Sequence, residues 1–204
     1  MTEAPAMIQA TWTHLLARAL VRPLIGTGVT PNHLTTLRLV SGVAACGFVA
    51  LGTREGDWWG GALWILSAFL DRADGELARI GDMMSPGGHR YDYLVDNGVT
   101  ALFFAAAGFG LRASWLGGWA VPLGLLAAGG LLLSNRWSEL LEVRTGRVER
   151  AYSGRWGFDL DDLLYLLGPL AWLGWLAPVL IGAAVGTSGF ALATLFRLRR
   201  LPAG

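Results

Sequence analysis

Four aspartates, three glycine or alanine positions and one arginine recur at fixed intervals between residues 71 and 96: Asp71-x₂-Asp74-Gly75-x₂-Ala78-Arg79-x₈-Gly88-x₃-Asp92-x₃-Asp96. The stretch lies where one apolar run ends and the next begins. Ionisable groups at the edge of a bilayer are costly and line polar cavities. At 100° per residue, Asp71, Asp74, Gly75, Ala78 and Arg79 fall within roughly 140° of one helical face. Gly88, Asp92 and Asp96, spaced i, i+4, i+8, share a face of the following helix. Two helices thus present two carboxylates each to one space, with glycines where something must approach the backbone. Four clustered anions repel one another unless divalent cations lie between them. Hard carboxylate oxygens suit Mg²⁺ or Mn²⁺. The residues therefore predict a two-ion site with Asp71, Asp74, Asp92 and Asp96 as ligands.

The elements that must position them read as membrane helices. The 204 residues are 53% hydrophobic and 15% charged, with a mean hydropathy of +0.47, and the apolar residues come in long blocks, so an ordinary soluble domain is excluded. The expected fold is an all-α integral membrane protein of one domain over 1–204. An interfacial amphipathic helix over 5–22 precedes a bundle of six transmembrane helices over 33–196. In the first helix Ile8, Trp12, Leu15, Leu16 and Ala19 form the apolar face, His14 is read as solvated surface, and Pro23 ends the helix. The spans are expected near 33–52, 58–80, 89–111, 115–140, 159–175 and 178–196, with Pro31 in the first turn of the first and Asp159 to Asp162 opening the fifth. Within the first span, Arg38 is placed either to snorkel or to face the polar cavity.

Charge orients this bundle. Every basic residue is arginine, and only Arg54 and Arg112 fall on the side opposite the motif. The positive-inside rule then puts the motif and both termini in the cytoplasm. A net charge of +1 gives no field for nucleic acid. The single Cys46 lies in an apolar run and is read as buried filler, and no cleavable signal peptide is expected.

The eight-position string resembles the signature of the CDP-alcohol phosphotransferases, integral membrane enzymes that make phospholipid head-group linkages. The resemblance implies transfer of a phosphatidyl or other substituted phosphate group from a CDP-alcohol to an acceptor alcohol, with release of CMP. It implies a Pro-Asn-x-x-Thr element beside the nucleotide, matched by Pro31, Asn32 and Thr35, and nucleotide or substrate contacts at Gly75, Ala78, Arg79 and Gly88. It also makes Asp96 the catalytic base; the residues alone do not separate Asp96 from the other three. Expected partners are a CDP-lipid donor, best CDP-diacylglycerol, an acceptor alcohol, the cell membrane and a second copy in a homodimer, with the glycine-containing third and fourth spans as its interface. Arg136, Arg144, Arg147, Arg150 and Arg155 are candidates to bind a phosphorylated acceptor such as glycerol phosphate or inositol phosphate. Glu76 within Asp-Gly-Glu-Leu-Ala-Arg is similar to members acting on inositol phosphates.

Other readings stay open on the residues. The aspartates form an ion-pair cluster with Arg72, Arg79 and Arg90, His89 is a solvated loop histidine, or the donor is a soluble CDP-alcohol and the acceptor a lipid. A prenyltransferase would carry two widely separated Asp motifs, and a divalent-cation carrier would need a polar route across the membrane. The apolar stretches before Ser67 and after Asn97 argue against the carrier.

Overall fold

The computed structural model describes residues 12–146 and 162–201. Residues 5–11 of the expected first helix, Asp159, Asp161, Arg147, Arg150 and Arg155 lie outside these described residues. The regular elements among them are all helical: α1 (Trp12–Val21), α2 (Pro31–Ala50), α3 (Arg54–Ile80), α4 (Pro86–Gly110), α5 (Ala120–Thr145), α6 (Asp162–Tyr165), α7 (Leu167–Trp172) and α8 (Leu176–Arg200). Tight 3₁₀ turns cover Arg22–Leu24, Leu111–Ala113 and Gly117–Trp119.

Local chemistry sets the helix starts. Pro31 and Pro86 occupy first-turn positions, where a missing N–H costs nothing. The Thr53 hydroxyl accepts the Gly56 N–H at 3.0 Å to start α3, and the Ser85 hydroxyl accepts the Gly88 N–H at 3.1 Å to start α4. The five residues between α3 and α4 turn through Asp82, which adopts a left-handed φ of 52°.

Four of the six expected spans, α2, α4, α5 and α8, are long and apolar enough to cross a membrane. With 27 residues, α3 is about 40 Å long, more than a bilayer core of about 30 Å. Its last ten residues hold Asp71, Arg72, Asp74, Glu76 and Arg79 and its first turn holds Arg54, Glu55 and Asp57, so its polarity is confined to its two ends. The fifth expected span is different. Its described part is two short helices, apolar over Leu163–Trp172, and about 15 Å of helix covers half a bilayer core. Pro169 has no N–H to give the Tyr165 carbonyl, and the helix breaks there. These pieces are docked on α3: the Trp64 indole N–H donates to the Leu164 carbonyl, Tyr165 to the Ala68 carbonyl and Trp172 to the Trp58 carbonyl.

Helix α3 packs on α1, α2 and α7, while α4 lies between α2 and α5, and α5 pairs with α8. Glycines set the closest approaches. A Cβ on Gly108 would lie 2.9 Å from Gly124 Cα, one on Gly130 would lie 2.5 Å from the Thr187 hydroxyl, and one on Gly52 would lie 2.2 Å from the Gly110 carbonyl oxygen. The contacts of Gly108, Gly124 and Gly130, on the third and fourth expected spans, thus lie within the chain. Outward-facing Leu37, Val40, Leu125, Leu132, Val185 and Leu192 present apolar side chains around the bundle, as lipid contact requires. Exposed Trp58, Trp59, Trp115, Trp119 and Trp175 lie at the helix ends remote from the motif, the arrangement of an interfacial aromatic belt.

On α1, the expected apolar face is turned outward, with Leu15, Leu16 and Ala19 exposed, while Thr13, Ala17 and Val21 are buried. His14 departs from expectation. It bonds Glu76 on α3 rather than lying solvated, because that buried carboxylate needs donors from a neighbouring helix.

Gly124→Leu drives side-chain atoms into the backbone of α4 and is expected to destabilise the fold by about 1–3 kcal/mol or more, read as a lower thermal midpoint in detergent. Gly129, with open space around its Cβ position, tolerates the same change with an unaltered midpoint.

Candidate active site

Arg38 is the centre of the site. It enters from α2, is 4% exposed, and reaches the carboxylates of both motif helices. Its Nη1 lies 2.5 Å from Asp71 Oδ1 on α3 and 3.3 Å from Asp92 Oδ1 on α4, and its Nη2 donates to Asp96 Oδ1 at 2.5 Å. Of the two expectations for Arg38, snorkelling does not hold, since the guanidinium turns inward to the carboxylates. The Arg38 carbonyl accepts hydroxyl hydrogen bonds from Ser41 and from Ser67 on α3, which fix the backbone from which the guanidinium extends. Gly42, one turn on, lets Val99 and Ser67 close in where a Cβ would stand 2.4 and 2.8 Å from them.

Asp71, Asp74 and Asp92 each offer an oxygen within 4.8 Å of the other two. Two ligands of one divalent ion, each at about 2.0–2.6 Å, are at most about 5 Å apart, so this oxygen set fits such an ion. Asp96 is outside that triad and is joined to it through Arg38. Asp74 is the most buried of the three, and the Thr35 hydroxyl donates to its Oδ2 at 2.6 Å while also lying 3.1 Å from the Pro31 carbonyl. A threonine at this position thus joins α2 to a motif carboxylate besides bonding its own backbone.

Beside the triad is a cavity of about 190 Å³. Pro31, Asn32, Thr35, Gly75, Ala78, Arg79 and Gly88 all line it, so the seven residues expected beside the nucleotide converge on one space together with Asp74 and Asp92. Gly88 is needed for this closure, since a Cβ there would lie 3.0 Å from the Ser85 hydroxyl and 3.2 Å from Asn32 Oδ1. Gly75 has a specific neighbour: the Arg79 guanidinium folds over it, 3.4 Å from where a Cβ would be.

Met83, Met84 and Ser85 also line the cavity and have no signal in the sequence, and His89, read as a solvated loop histidine with substrate contact as the alternative, lines it too. The first three follow the turn out of α3, a location no spacing rule identifies; His89 belongs to the first turn of α4 rather than to a loop. Arg136 and Arg144 are exposed on α5, and neither lines this cavity. Arg136 pairs with Glu139 at 2.9 Å, but it adjoins Asn135, whose amide donates to Asn97, the residue after Asp96.

The sequence pattern of the CDP-alcohol phosphatidyltransferase family matches residues 28–188. The chain belongs to this family. This family member is 33% identical over 183 residues to a protein of Rubrobacter xylanophilus named bifunctional IPC transferase and DIPP synthase, a match covering 87% of this chain and 38% of that one. It is 35% identical over 107 residues to inner membrane protein YnjF of Escherichia coli, covering 48% of this chain and 47% of that protein. The matches therefore span less than half the length of either relative.

Removing the central cation tests the electrostatics of the site. Arg38→Met leaves Asp71, Asp92 and Asp96 uncompensated and is expected to cost about 2–3 kcal/mol in EDTA, allowing for their partial exposure. Added Mn²⁺ then raises the melting temperature of the variant more than that of the wild type. Equal melting of the two proteins in EDTA would contradict this account.

Proposed function

We propose that this protein transfers a phosphatidyl group from a CDP-alcohol, best CDP-diacylglycerol, to an acceptor alcohol and releases CMP. The observation that carries this reading is the single cavity in which Asn32, Thr35, Gly75, Ala78, Arg79 and Gly88 meet Asp74 and Asp92. Its volume is below the roughly 300–1,000 Å³ of whole-ligand sites, so part of the nucleotide lies beyond its rim. The acyl chains of the donor enter from the surrounding bilayer.

Asp71, Asp74 and Asp92 would hold Mg²⁺ or Mn²⁺, and Asp96 would complete the ligands of a second ion. When bound, the ions neutralise pyrophosphate oxygens and ease departure of the leaving phosphate. Arg79 binds the phosphates with a permanent charge and a fork of donors, and Gly75 and Ala78 keep the cavity wall low beneath the nucleotide. Arg38 donates to one oxygen of Asp96 and so orients the carboxylate that takes the proton of the acceptor hydroxyl. The acceptor oxygen bonds to the lipid-side phosphorus, the bond from that phosphorus to the CMP oxygen breaks, and CMP departs with the electron pair.

A phosphorylated polyol such as inositol phosphate or glycerol phosphate is the favoured acceptor. Glu76 within Asp-Gly-Glu-Leu-Ala-Arg, a relative named bifunctional IPC transferase and DIPP synthase, and the placement of Arg136 next to the Asn135–Asn97 contact support it. The single domain spans 1–204 with six membrane crossings, α3 and the α6–α7 region supplying the two beyond the four apolar helices. Interfacial α1, the cytoplasmic orientation of the motif, residence in the cell membrane and a homodimer complete the reading. The arginines support the orientation: among the described residues only Arg54 and Arg112 lie at the helix ends opposite the motif.

Detergent-purified protein given CDP-diacylglycerol, Mg²⁺ and a panel of acceptors is expected to release CMP with one of them. The panel comprises glycerol 3-phosphate, inositol phosphate, inositol, serine, choline and phosphatidylglycerol. Asp96→Asn is expected to lower turnover by about 10²–10⁴-fold while nucleotide binding persists. Failure to bind any CDP-alcohol or to release CMP would sink the reading.

A further inference from the structure

Glu76 is not among the eight motif positions, yet it is 2% exposed on the helix that carries five of them. A buried carboxylate needs its lone pairs filled, and here donors from two helices fill them. Its Oε1 accepts from Arg79 Nη2 at 2.7 Å and from His14 Nδ1 at 2.9 Å, and its Oε2 accepts from Arg18 Nε at 2.9 Å. The histidine tautomer follows from its other contact. Arg72 Nη1 lies 3.1 Å from His14 Nε2, and because a guanidinium only donates, Nε2 accepts and Nδ1 carries the proton given to Glu76. The 3.5 Å approach of Arg79 Nη2 to His14 Nδ1 is then donor to donor and not a bond.

One consequence concerns the cavity. The Arg79 side chain is half exposed and long, so by itself it would sample many rotamers. Glu76 takes one amino group of the fork, and the guanidinium lies over Gly75 at the cavity wall. Buried ion pairs add little stability, because desolvation offsets their attraction. The main effect of this one is geometric.

We propose that Glu76 is a positioning residue for Arg79, and that α1 belongs to the active site because His14 and Arg18 hold Glu76 in place. The proposal rests on the reading of Arg79 as a phosphate-binding residue. Glu76 touches no reacting atom; it acts by presenting the arginine to a nucleoside diphosphate already oriented. Arg18 is the handle through which α1 contributes, and the outward Leu15, Leu16 and Leu20 seat the same helix against lipid.

The test is a double-mutant cycle read by CDP binding to the full-length protein with Mg²⁺, using Glu76→Gln, Arg79→Met and both together. Hydrogen bonds to charged groups are strong enough that Glu76→Gln and Arg79→Met are each expected to weaken CDP by about tenfold or more. The double variant is expected to bind no worse than Arg79→Met alone, since Glu76 acts only through that arginine. Arg18→Met removes an exposed side chain and leaves the Glu76–Arg79 pair, so it guards against misfolding of Glu76→Gln. It is expected to weaken CDP in the wild-type background and have no effect in the Arg79→Met background. Additive losses in these cycles, or unchanged affinity in Glu76→Gln, overturn the positioning role while leaving the enzyme reading standing. Wild-type protein that binds no CDP with Mg²⁺ overturns the enzyme reading itself, and the positioning role with it.

Discussion

Three carboxylates share a space in which each ligand oxygen lies within 4.8 Å of the others, and a nearly buried guanidinium pairs with two of them. Two unit charges 4 Å apart interact by about 4 kcal/mol at an effective dielectric of 20. Repulsion of that order for each pair is comparable to a total stability of about 5–15 kcal/mol. Partial exposure of Asp71 and Asp92 lowers it through solvent screening, but Asp74 is 4% exposed and gains little from water. Arg38 offsets the repulsion from α2, and the Thr35 hydroxyl from the same helix satisfies Asp74. The chemistry of α3 and α4 therefore depends on a third helix that carries no motif position.

That dependence explains the packing around the site. For one side chain of α2 to reach Asp71, Asp92 and Asp96, three helix backbones must come close at the level of Arg38. Gly42 permits this between α2, Ser67 of α3 and Val99 of α4. At the far end, Gly52 and Gly110 bring the loop after α2 onto the end of α4, and both termini of the α2–α4 pair are thereby fixed. The outer helices have a different task. With α5 and α8 packed beside α4, and α7 on α3, they keep the apolar lower parts of the motif helices out of lipid while their own outward faces accept it. The polar cluster is left at one end of an otherwise apolar bundle.

The residues that converge on the cavity were legible because helical periodicity is a strong constraint. Asp74, Gly75, Ala78 and Arg79 share a face by arithmetic alone, and so do Gly88 and Asp92. The all-helical fold followed from long apolar blocks for the same reason. Less was legible where contacts cross between elements far apart in the chain. A lone arginine one turn beyond Thr35 reads equally as a snorkelling residue, and only the crossing of α2 with α3 and α4 directs it to the carboxylates. His14 reads as the polar side of a surface helix until Glu76 is placed opposite it. The fifth span illustrates the converse, since an apolar composition over Leu163–Trp172 says nothing of the break that Pro169 causes.

The central claim is that a divalent ion and a cytidine nucleotide meet at the α2–α3–α4 corner. Anomalous diffraction from crystals grown with Mn²⁺ and CDP tests it most directly, because manganese is located without reference to any assumed ligand. An anomalous peak is expected bonded to oxygens of Asp71, Asp74 and Asp92, with the diphosphate between that peak and Arg79 and the nucleotide extending past Asn32 and Gly88. Manganese bound elsewhere, or CDP density on the arginines of α5 with the cavity empty, would contradict it.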